Sequence, residues 1–537
     1  MRITRSIRSN LLFLLAEART EIKIVRTLLE GESSDGLRIL NRTGFTQNLN
    51  MQIQDSCSRA IAQDGEIVTL RAAATIASNL LRITELCCSC LKTWQSIPSE
   101  QRSVLTSYTE LLRQVGKGIN TIEQALPNRK TTLAVKLGEL ADTLIVNAQQ
   151  LEQQQAERLN RQKKSPTQVG ALLIARTIAE MGSALLNISE ALLSSSLGQT
   201  MDLPRFHALQ ERLNAVGGIN SDFSIRAVAE SKSGSSIAAV RYRDSDNNTK
   251  LVIFKDGRRD KLKEEQQGIL RWQQVAPGIA PEIFTYKKEG DSAAMLIEHL
   301  QGVTFEQILL QATPRLRADA MKALKTTLRS VWSSTKKRQQ RSARFTRQIQ
   351  KRLTDIYAVH PQFRNRSSSI CGIKVHSFNT LLKQADRIEQ ELPTPFTVLA
   401  HGDFNIDNII FNPHKKTIHF IDLHRSVQMD YIQDISVFMI SNYRLQIFST
   451  PVRRRIGKQI REIYTTARRF ADENSDSSFE IRLALGLARS FATSTRFIAD
   501  RTLAERMFLQ AYYLLEQVTQ RPDPAEYRTP IKELFHE

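Results

Sequence analysis

The chain has 537 residues, 41% of them hydrophobic and 24% charged, with a formal net charge of +20. That is the composition of a soluble globular protein with room for two to four domains, and the charge points to an anionic partner without choosing among nucleotide, phosphorylated metabolite, nucleic acid and membrane surface. Five cysteines in so long a chain exclude a disulfide framework and suit a reducing cytosol, and no run of 18 apolar residues predicts a membrane span.

Arg2, Arg5 and Arg8 precede the run Leu11-Leu12-Phe13-Leu14-Leu15-Ala16. Six apolar residues fall short of a secretory core, and acidic residues follow at once. Ile3, Ile7, Leu11, Leu14 and Leu15 keep helical spacing, so the first element is read as an amphipathic helix. Helix is predicted from there to about residue 197. Breaks are signalled at Gly31-Glu32-Ser33-Ser34-Asp35-Gly36, Ile97-Pro98-Ser99-Glu100, Leu126-Pro127-Asn128-Arg129 and Lys163-Lys164-Ser165-Pro166. Helices of that length pack as a bundle.

A faint repeat runs through this half. Ile76, Ala77, Leu80 and Ile83 can be laid on Ile174, Ala175, Ile178 and Met181, each set forming one apolar helical face. Two similar three-helix units would bury these faces against each other. The pattern resembles the PhoU family of phosphate-signalling regulators. The resemblance implies an all-α bundle over residues 1–197 with a regulatory or interaction role. It also implies carboxylates four apart that bind metal. Here those positions hold Leu81, Glu85, Ala179 and Ser183. One carboxylate in four is too few, so the fold is carried over and the metal site is not. Cys87 and Cys90 form a C-x-x-C pair, but with no second Cys or His pair nearby they read as small buried helix residues.

A linker is predicted at Ser194-Ser195-Ser196-Leu197-Gly198-Gln199-Thr200, followed by a helix near 204–216. Strand-like alternation then appears at 223–228, 237–242 and 251–255, with a hairpin loop at 244–248. Helices return from about Thr304. The fold class expected is therefore α+β: an all-α bundle, then a small sheet lobe at about 220–300 and a mainly helical lobe at 304–537, together a second domain spanning 205–537.

The most specific motif lies in that last segment: His401-Gly402-Asp403-Phe404-Asn405-Ile406-Asp407-Asn408-Ile409-Ile410, followed by Ile421-Asp422. H-G-D-x4-N, an apolar run and a second aspartate in strand-like sequence resemble the aminoglycoside phosphotransferase and choline kinase family, small-molecule relatives of protein kinases. The resemblance implies a kinase-like fold and transfer of a phosphoryl group from ATP, with Mg2+ as cofactor. It makes Asp403 the carboxylate that orients the acceptor hydroxyl, and Asn408 and Asp422 the magnesium ligands. His401 would brace the loop, Asp407 reads as a solvated acid, and Asp434 matches an aspartate that supports the loop from the following helix.

The remaining nucleotide contacts follow from the same resemblance. Lys255 ends Leu-Val-Ile-Phe-Lys, close to the V-A-I-K of kinases, and would reach the α- and β-phosphates. Its acidic partner would be Glu265, which shares a helix with Ile269 and Trp272; Glu264 is the alternative. Ser235, within Ser231-Lys232-Ser233-Gly234-Ser235-Ser236, would bring backbone amides to phosphate, although a plain hairpin turn explains that segment equally well. Backbone groups of Glu298, His299 and Leu300 would hold adenine.

The acceptor is expected to be a small hydroxylated molecule. Residues 336–352 carry eight basic side chains and no acidic one, and Arg453-Arg454-Arg455 with Lys458 form a second cluster. These could face an anionic substrate, an acidic protein, RNA or lipid, or be solvated faces. No nucleic-acid-binding motif accompanies them. A protein kinase fits less well, since only twelve positions separate Asp422 from Asp434 and no A-P-E occurs. A nucleotide-binding regulatory pseudokinase is the other alternative. The intact set Lys255, Asp403, Asn408 and Asp422 argues against it.

Overall fold

The structure is a computed structural model. It describes residues 3–32, 35–62, 66–127, 131–161, 166–216, 224–230, 236–243, 248–338, 342–364, 368–370, 373–392, 394–520 and 526–535. The chain divides into two compact units, Met1–Asp256 and Gly257–Glu537. The boundary predicted near 197–205 falls inside the first of these.

The first unit opens with six long helices: α1 (Arg5–Leu29), α2 (Leu37–Ala62), α3 (Ile67–Ser96), α4 (Thr109–Ala125), α5 (Thr131–Arg161) and α6 (Pro166–Leu197). The break between α2 and α3 was not anticipated, although Asp64-Gly65 offered a turn signal. α1 starts where the Thr4 hydroxyl accepts the Ile7 amide, and it buries Ile7, Leu11, Leu14 and Leu15 on one face. α3 packs on α6, and α6 also packs on α5. All eight positions of the sequence repeat are fully buried.

Of the carboxylates on those faces, Glu85 and Glu180 both pair with Arg82, at 3.6 and 2.6 Å. Cys87 and Cys90 are buried in α3, and burial raises both thiols. By length and hydropathy α6 qualifies as a membrane span, against expectation, but 56% of its most apolar window is buried in the bundle, as for a core helix.

α6 also consumes most of the predicted linker. Ser196 satisfies its hydroxyl on the Leu192 carbonyl one turn back, and Ser195 is buried against Thr69, so serines that read as linker extend the helix. α7 (Leu203–Ala215) follows, capped by Asp202, whose side chain accepts the Arg205 amide. Three antiparallel strands complete the unit: β1 (Ser224–Glu230), β2 (Ser236–Arg243) and β3 (Thr249–Arg258). Arg205 bonds Asp256 at 2.7 Å and ties α7 to the end of β3.

The second unit begins with α8 (Arg259–Val275) and the hairpin β4 (Ile283–Glu289) and β5 (Ser292–Glu298). Next come β6 (Val303–Thr304), α9 (Phe305–Gln311), α10 (Pro314–Thr335), α11 (Phe345–Gln350) and α12 (Leu353–Val359). A short hairpin that the sequence did not signal, β7 (Ser368–Ile370) and β8 (Ile373–Val375), leads to α13 (Phe378–Glu391). Four short strands carry the loops of interest: β9 (Val398–Ala400), β10 (Ile409–Asn412), β11 (Thr417–Phe420) and β12 (Val427–Met429). β12 pairs with β9, while β10 pairs with β11 on one side and β6 on the other.

The unit ends with α14 (Ile432–Tyr443), α15 (Thr450–Glu473), α16 (Phe479–Ser494), α17 (Arg501–Gln520) and α18 (Ile531–Leu534). Every residue of α14 is buried, the mark of a helix at the centre of a helical core. Just before it, Asp430 and, beyond α15, Asp476 both grip the buried Arg482 guanidinium of α16.

The basic segment 336–352 is not one solvated helix. Lys337 bridges to Thr397, and Glu389 of α13 accepts the amides of Phe345 and Thr346 at the start of α11. Phe345 and Ile349 are buried, while Arg344, Arg347, Lys351 and Arg352 point to solvent. The segment is an anchored connector with a basic outer side.

Candidate active site

The loop between β9 and β10 and the turn after β11 bring Asp403, Asn408 and Asp422 together. The link is local: the Asn408 carbonyl accepts the Ile421 amide at 3.1 Å, so the two loops run side by side. Asn408 Nδ2 donates to the Asp403 carbonyl at 2.9 Å. The other amide atom, Oδ1, is the one that this bond does not use. Asp422 has left-handed backbone angles, φ 61° and ψ 54°, which turn the chain sharply out of the strand direction of β11. Its Oδ1 lies 2.8 Å from His424 Nδ1. An amide oxygen and a carboxylate on two adjoining loops are hard oxygen donors, the kind that magnesium takes.

Asp403 is held from both sides. Asn405 Nδ2 donates to Oδ1 at 2.9 Å, and the Arg425 guanidinium stands 3.3 Å from Oδ2. Arg444 in turn donates to Asn405 Oδ1 at 3.1 Å. The carboxylate is one-fifth exposed, which leaves it accessible.

The backbone beneath it is fixed by buried polar groups. Asp434 of α14 accepts the amides of His401 and Gly402 at 2.7 and 2.8 Å, and Gln433 donates to the Gly402 carbonyl at 3.1 Å. Burial pushes the Asp434 carboxyl up to about 7 against the pull of those two amides. Gly402 has φ +83°, and a Cβ there would lie 2.3 Å from the Arg425 carbonyl oxygen, so this position requires glycine on two counts. His401 is fully buried, and burial lowers its pKa, so it is neutral near pH 7. Its Nδ1 accepts the Asp403 amide, which puts the proton on Nε2, 2.9 Å from the Ile421 carbonyl. The imidazole thus braces one loop against the other. Asp407 is exposed.

α8 closes over the turn that follows Asp422. Trp272 packs edge-on against Phe420 and donates to Ser426 Oγ at 2.9 Å, and Ser426 Oγ donates to the His401 carbonyl. Gly268 of α8 lies where a Cβ would be 2.1 Å from the Leu423 carbonyl oxygen. On the same face Glu265 is buried and Glu264 exposed, so the helix presents Glu265 inward with Leu262, Ile269 and Trp272.

The other predicted contacts are placed as follows. Lys255 is buried on β3, opposite Ile237 of β2, in the first unit. Ser235 lies outside the described residues. Glu298 ends β5, and its amide is already given to the Glu282 carbonyl at 2.8 Å while its carboxylate accepts the Glu282 amide at 3.2 Å. Of the backbone expected to hold adenine, that N–H is therefore committed. His299 is part-buried and Leu300 buried.

Sequence reasoning missed Arg425, His424, Asn405, Arg444 and Gly268. The first two follow Asp422 by three and two positions, and a lone glycine inside a polar helix is a packing signal. Arg444 offered no local cue.

With this geometry in hand, comparison with known proteins adds a class. Residues 233–472 match the profile of the phosphotransferase enzyme family (APH), so this part of the chain is a phosphotransferase-family domain. Similar solved structures include an aminoglycoside-3'-phosphotransferase of type VIII, with 16% identity and a TM-score of 0.34 over 54% of this chain and 100% of that one. Another is an ethanolamine kinase of Plasmodium vivax, with 12% identity and a TM-score of 0.34 over 55% and 83%. A third is a macrolide 2'-phosphotransferase of Brachybacterium faecium, with 10% identity and a TM-score of 0.30 over 57% and 97%. No curated protein matches the chain.

Proposed function

We propose that the protein is an ATP- and magnesium-dependent phosphotransferase acting on a hydroxyl of a small molecule. The observation that carries this is the junction of Asp403, Asn408 and Asp422 on two loops hydrogen-bonded to each other, within a domain matched by the phosphotransferase family. Asp403 accepts the proton of the acceptor hydroxyl as its oxygen forms a bond to the γ-phosphorus of ATP and the bond from that phosphorus to ADP breaks. The transition state is loose, so orientation of the hydroxyl matters more than basicity, and the donors on both Asp403 oxygens supply that orientation. Asn408 Oδ1 and Asp422 would hold magnesium, which would neutralise negative charge on the phosphates.

Lys255 is assigned to the α- and β-phosphates with Glu265 as its partner, and the peptide groups of His299 and Leu300 to adenine. The helical bundle is assigned a regulatory or interaction role, in keeping with its PhoU-like repeat and a link to phosphate signalling. A protein-kinase reading is disfavoured by the short path from Asp422 to Asp434, which leaves little room for a peptide-binding segment.

The test is a phosphotransfer screen of purified full-length protein against hydroxyl-bearing metabolites, run beside Asp403→Asn. The variant should keep Mg-ATP binding and lose turnover by on the order of 10²–10⁴, the size of a positioned acid–base group. Near-normal turnover in Asp403→Asn would remove Asp403 from the chemistry.

A further inference from the structure

Arg425, Arg489 and Arg496 of the second unit feel the charge of Asp403, and Asp434 and Glu389 also act on Arg489. Arg425 pairs with Asp403 at 3.3 Å, yet its side chain is half exposed, so several of its N–H groups face outward. Arg444 sits on Asn405, one step removed from Asp403. Arg352 and Arg496 share a single carboxylate, Asp355, at 3.3 and 3.9 Å. The Arg496 Nη1 that faces Asp355 makes no hydrogen bond among the described residues. Arg489 is 93% buried, donates one bond to Ser436, and has a buried Nε with no partner.

These side chains sense one another. Burial and then Arg352 and Arg425 hold the Arg496 guanidinium below its ordinary range, and Arg489 is pushed down to about 10 by burial, with Arg425 acting in the same direction. Like charges collected beside a reactive carboxylate are unfavourable unless something negative joins them. When Asp403 takes up the proton of the acceptor hydroxyl its charge is neutralised, and it is the only carboxylate paired with Arg425 among the described residues.

We propose that the acceptor is itself an anion, a sugar or polyol bearing a phosphate or carboxylate group, and that Arg425 receives that group beside Asp403, with Arg496 and Arg352 as the second guanidinium pair. The proposal rests on the phosphotransferase reading and names the substrate class for the same site. A guanidinium fork matches both oxyanions in shape, and an ion pair at a part-buried site discriminates against a neutral analogue.

The experiment compares matched acceptors with the full-length protein and Mg-ATP: glucose, glucose 6-phosphate, gluconate and glucosamine, then glycerol, glycerol 3-phosphate and glycerate. ADP release gives kcat and KM. Calorimetry in parallel measures binding of inorganic phosphate to protein saturated with a non-hydrolysable ATP analogue and magnesium. Wild type should favour an anionic member over its neutral partner by on the order of tenfold or more in kcat/KM, about the worth of one charge-assisted hydrogen bond. The phosphate and carboxylate members separate the two anion types. In Arg425→Gln and in Arg425→Gln with Arg496→Gln, that ratio should fall toward one through a rise in KM, and Arg425→Lys should restore part of it.

The ratio is the readout because losing Arg425 also changes how Asp403 is held and would slow every acceptor together. Preference for neutral or cationic acceptors, or a ratio unchanged in the variants, overturns the inference and leaves the phosphotransferase reading intact. Arg425-dependent phosphate binding with no acceptor turned over has the opposite meaning: the anion site stands and phosphotransfer fails.

Discussion

Gly268 offers a test of how tightly α8 controls the turn after Asp422. Alanine is the better helix former by about 1 kcal/mol in an exposed helix interior, so propensity alone predicts that Gly268→Ala stabilises. The structure reverses the sign. The added Cβ would meet the Leu423 carbonyl oxygen at 2.1 Å and its carbon at 2.9 Å, where ordinary contact begins at 3.4 Å. Either α8 or the turn must move by more than 1 Å, and neither obstacle is a flexible side-chain tip. Overpacking of this kind costs about 1–3 kcal/mol. Against the propensity gain the net loss is about 0–2 kcal/mol, a fall in melting temperature of a few degrees at most for a unit of this size.

The larger effect should be on activity. Leu423 follows Asp422 directly, and a shift of about 1 Å in a positioned group can cost on the order of 100-fold in rate. The assay is thermal unfolding together with phosphotransfer at several magnesium concentrations. Gly268→Ala should melt slightly lower and need more magnesium for half-maximal rate. A variant that melts higher than wild type and shows the wild-type magnesium response would refute this role for Gly268.

Two further outcomes concern stability. Arg482→Met leaves Asp430 and Asp476 buried without their shared cation, which should cost about 3–5 kcal/mol in urea unfolding, and Asp430→Asn added to that background should recover part of it; a loss below about 1 kcal/mol would show that the pair is hydrated in solution. Glu21 is buried in the helical bundle with Oε2 unpartnered among the described residues, and burial together with Glu17 raises its carboxyl to about 8. A raised carboxyl contributes stability that is full below its ordinary 4.5 and is lost as pH rises through about 8. Melting temperatures of the full chain between pH 5 and 9 should therefore decline less steeply in Glu21→Gln than in wild type, and parallel curves would place Glu21 in contact with water.

The parts of the site that the sequence made legible are those determined by local spacing. Asp403 and Asn408 lie on one loop five positions apart, and the loop itself brings the Asn408 amide to the Asp403 carbonyl. Helical periodicity likewise placed the faces of α3 and α6, because a residue's side on a helix depends only on its neighbours in sequence. Pairings made across the fold carry no such imprint. Arg425 reads as one basic residue among 75, and nothing near it announces that it faces Asp403. The basic run 336–352 misled for the same reason. Its charge density suggested a continuous face, whereas Glu389, 44 and 43 positions beyond Phe345 and Thr346, organises it by binding their backbone amides. Serine-rich sequence after residue 193 read as linker because hydroxyls compete with backbone bonding; in α6 Ser196 bonds back to the preceding turn and the helix continues.

These distant pairings form one chain of support that explains why Asp403 is well oriented on a short loop. The loop amides at His401 and Gly402 are fixed by Asp434. Asp434 is fixed because α14 is buried on every side. The start of α14 is fixed in turn by Asp430, which caps the Ile432 amide with one oxygen and meets Arg482 with the other. Arg482 reaches on to Asp476, and Tyr431 donates to the same Asp476 oxygen at 2.8 Å. Each step is a buried polar contact whose loss leaves an unsatisfied group, so the loop cannot relax cheaply at any point along it. Asp422 has a parallel brace, since His401 bonds the Ile421 carbonyl and α8 leans on Leu423. The two loops are therefore held from opposite directions, Asp403 from the helical core and Asp422 from α8. A helix that approaches only because Gly268 has no side chain is the less deeply embedded of these two supports. A change in the seat of α8 would move Asp422 relative to Asp403 while the helical core stayed in place.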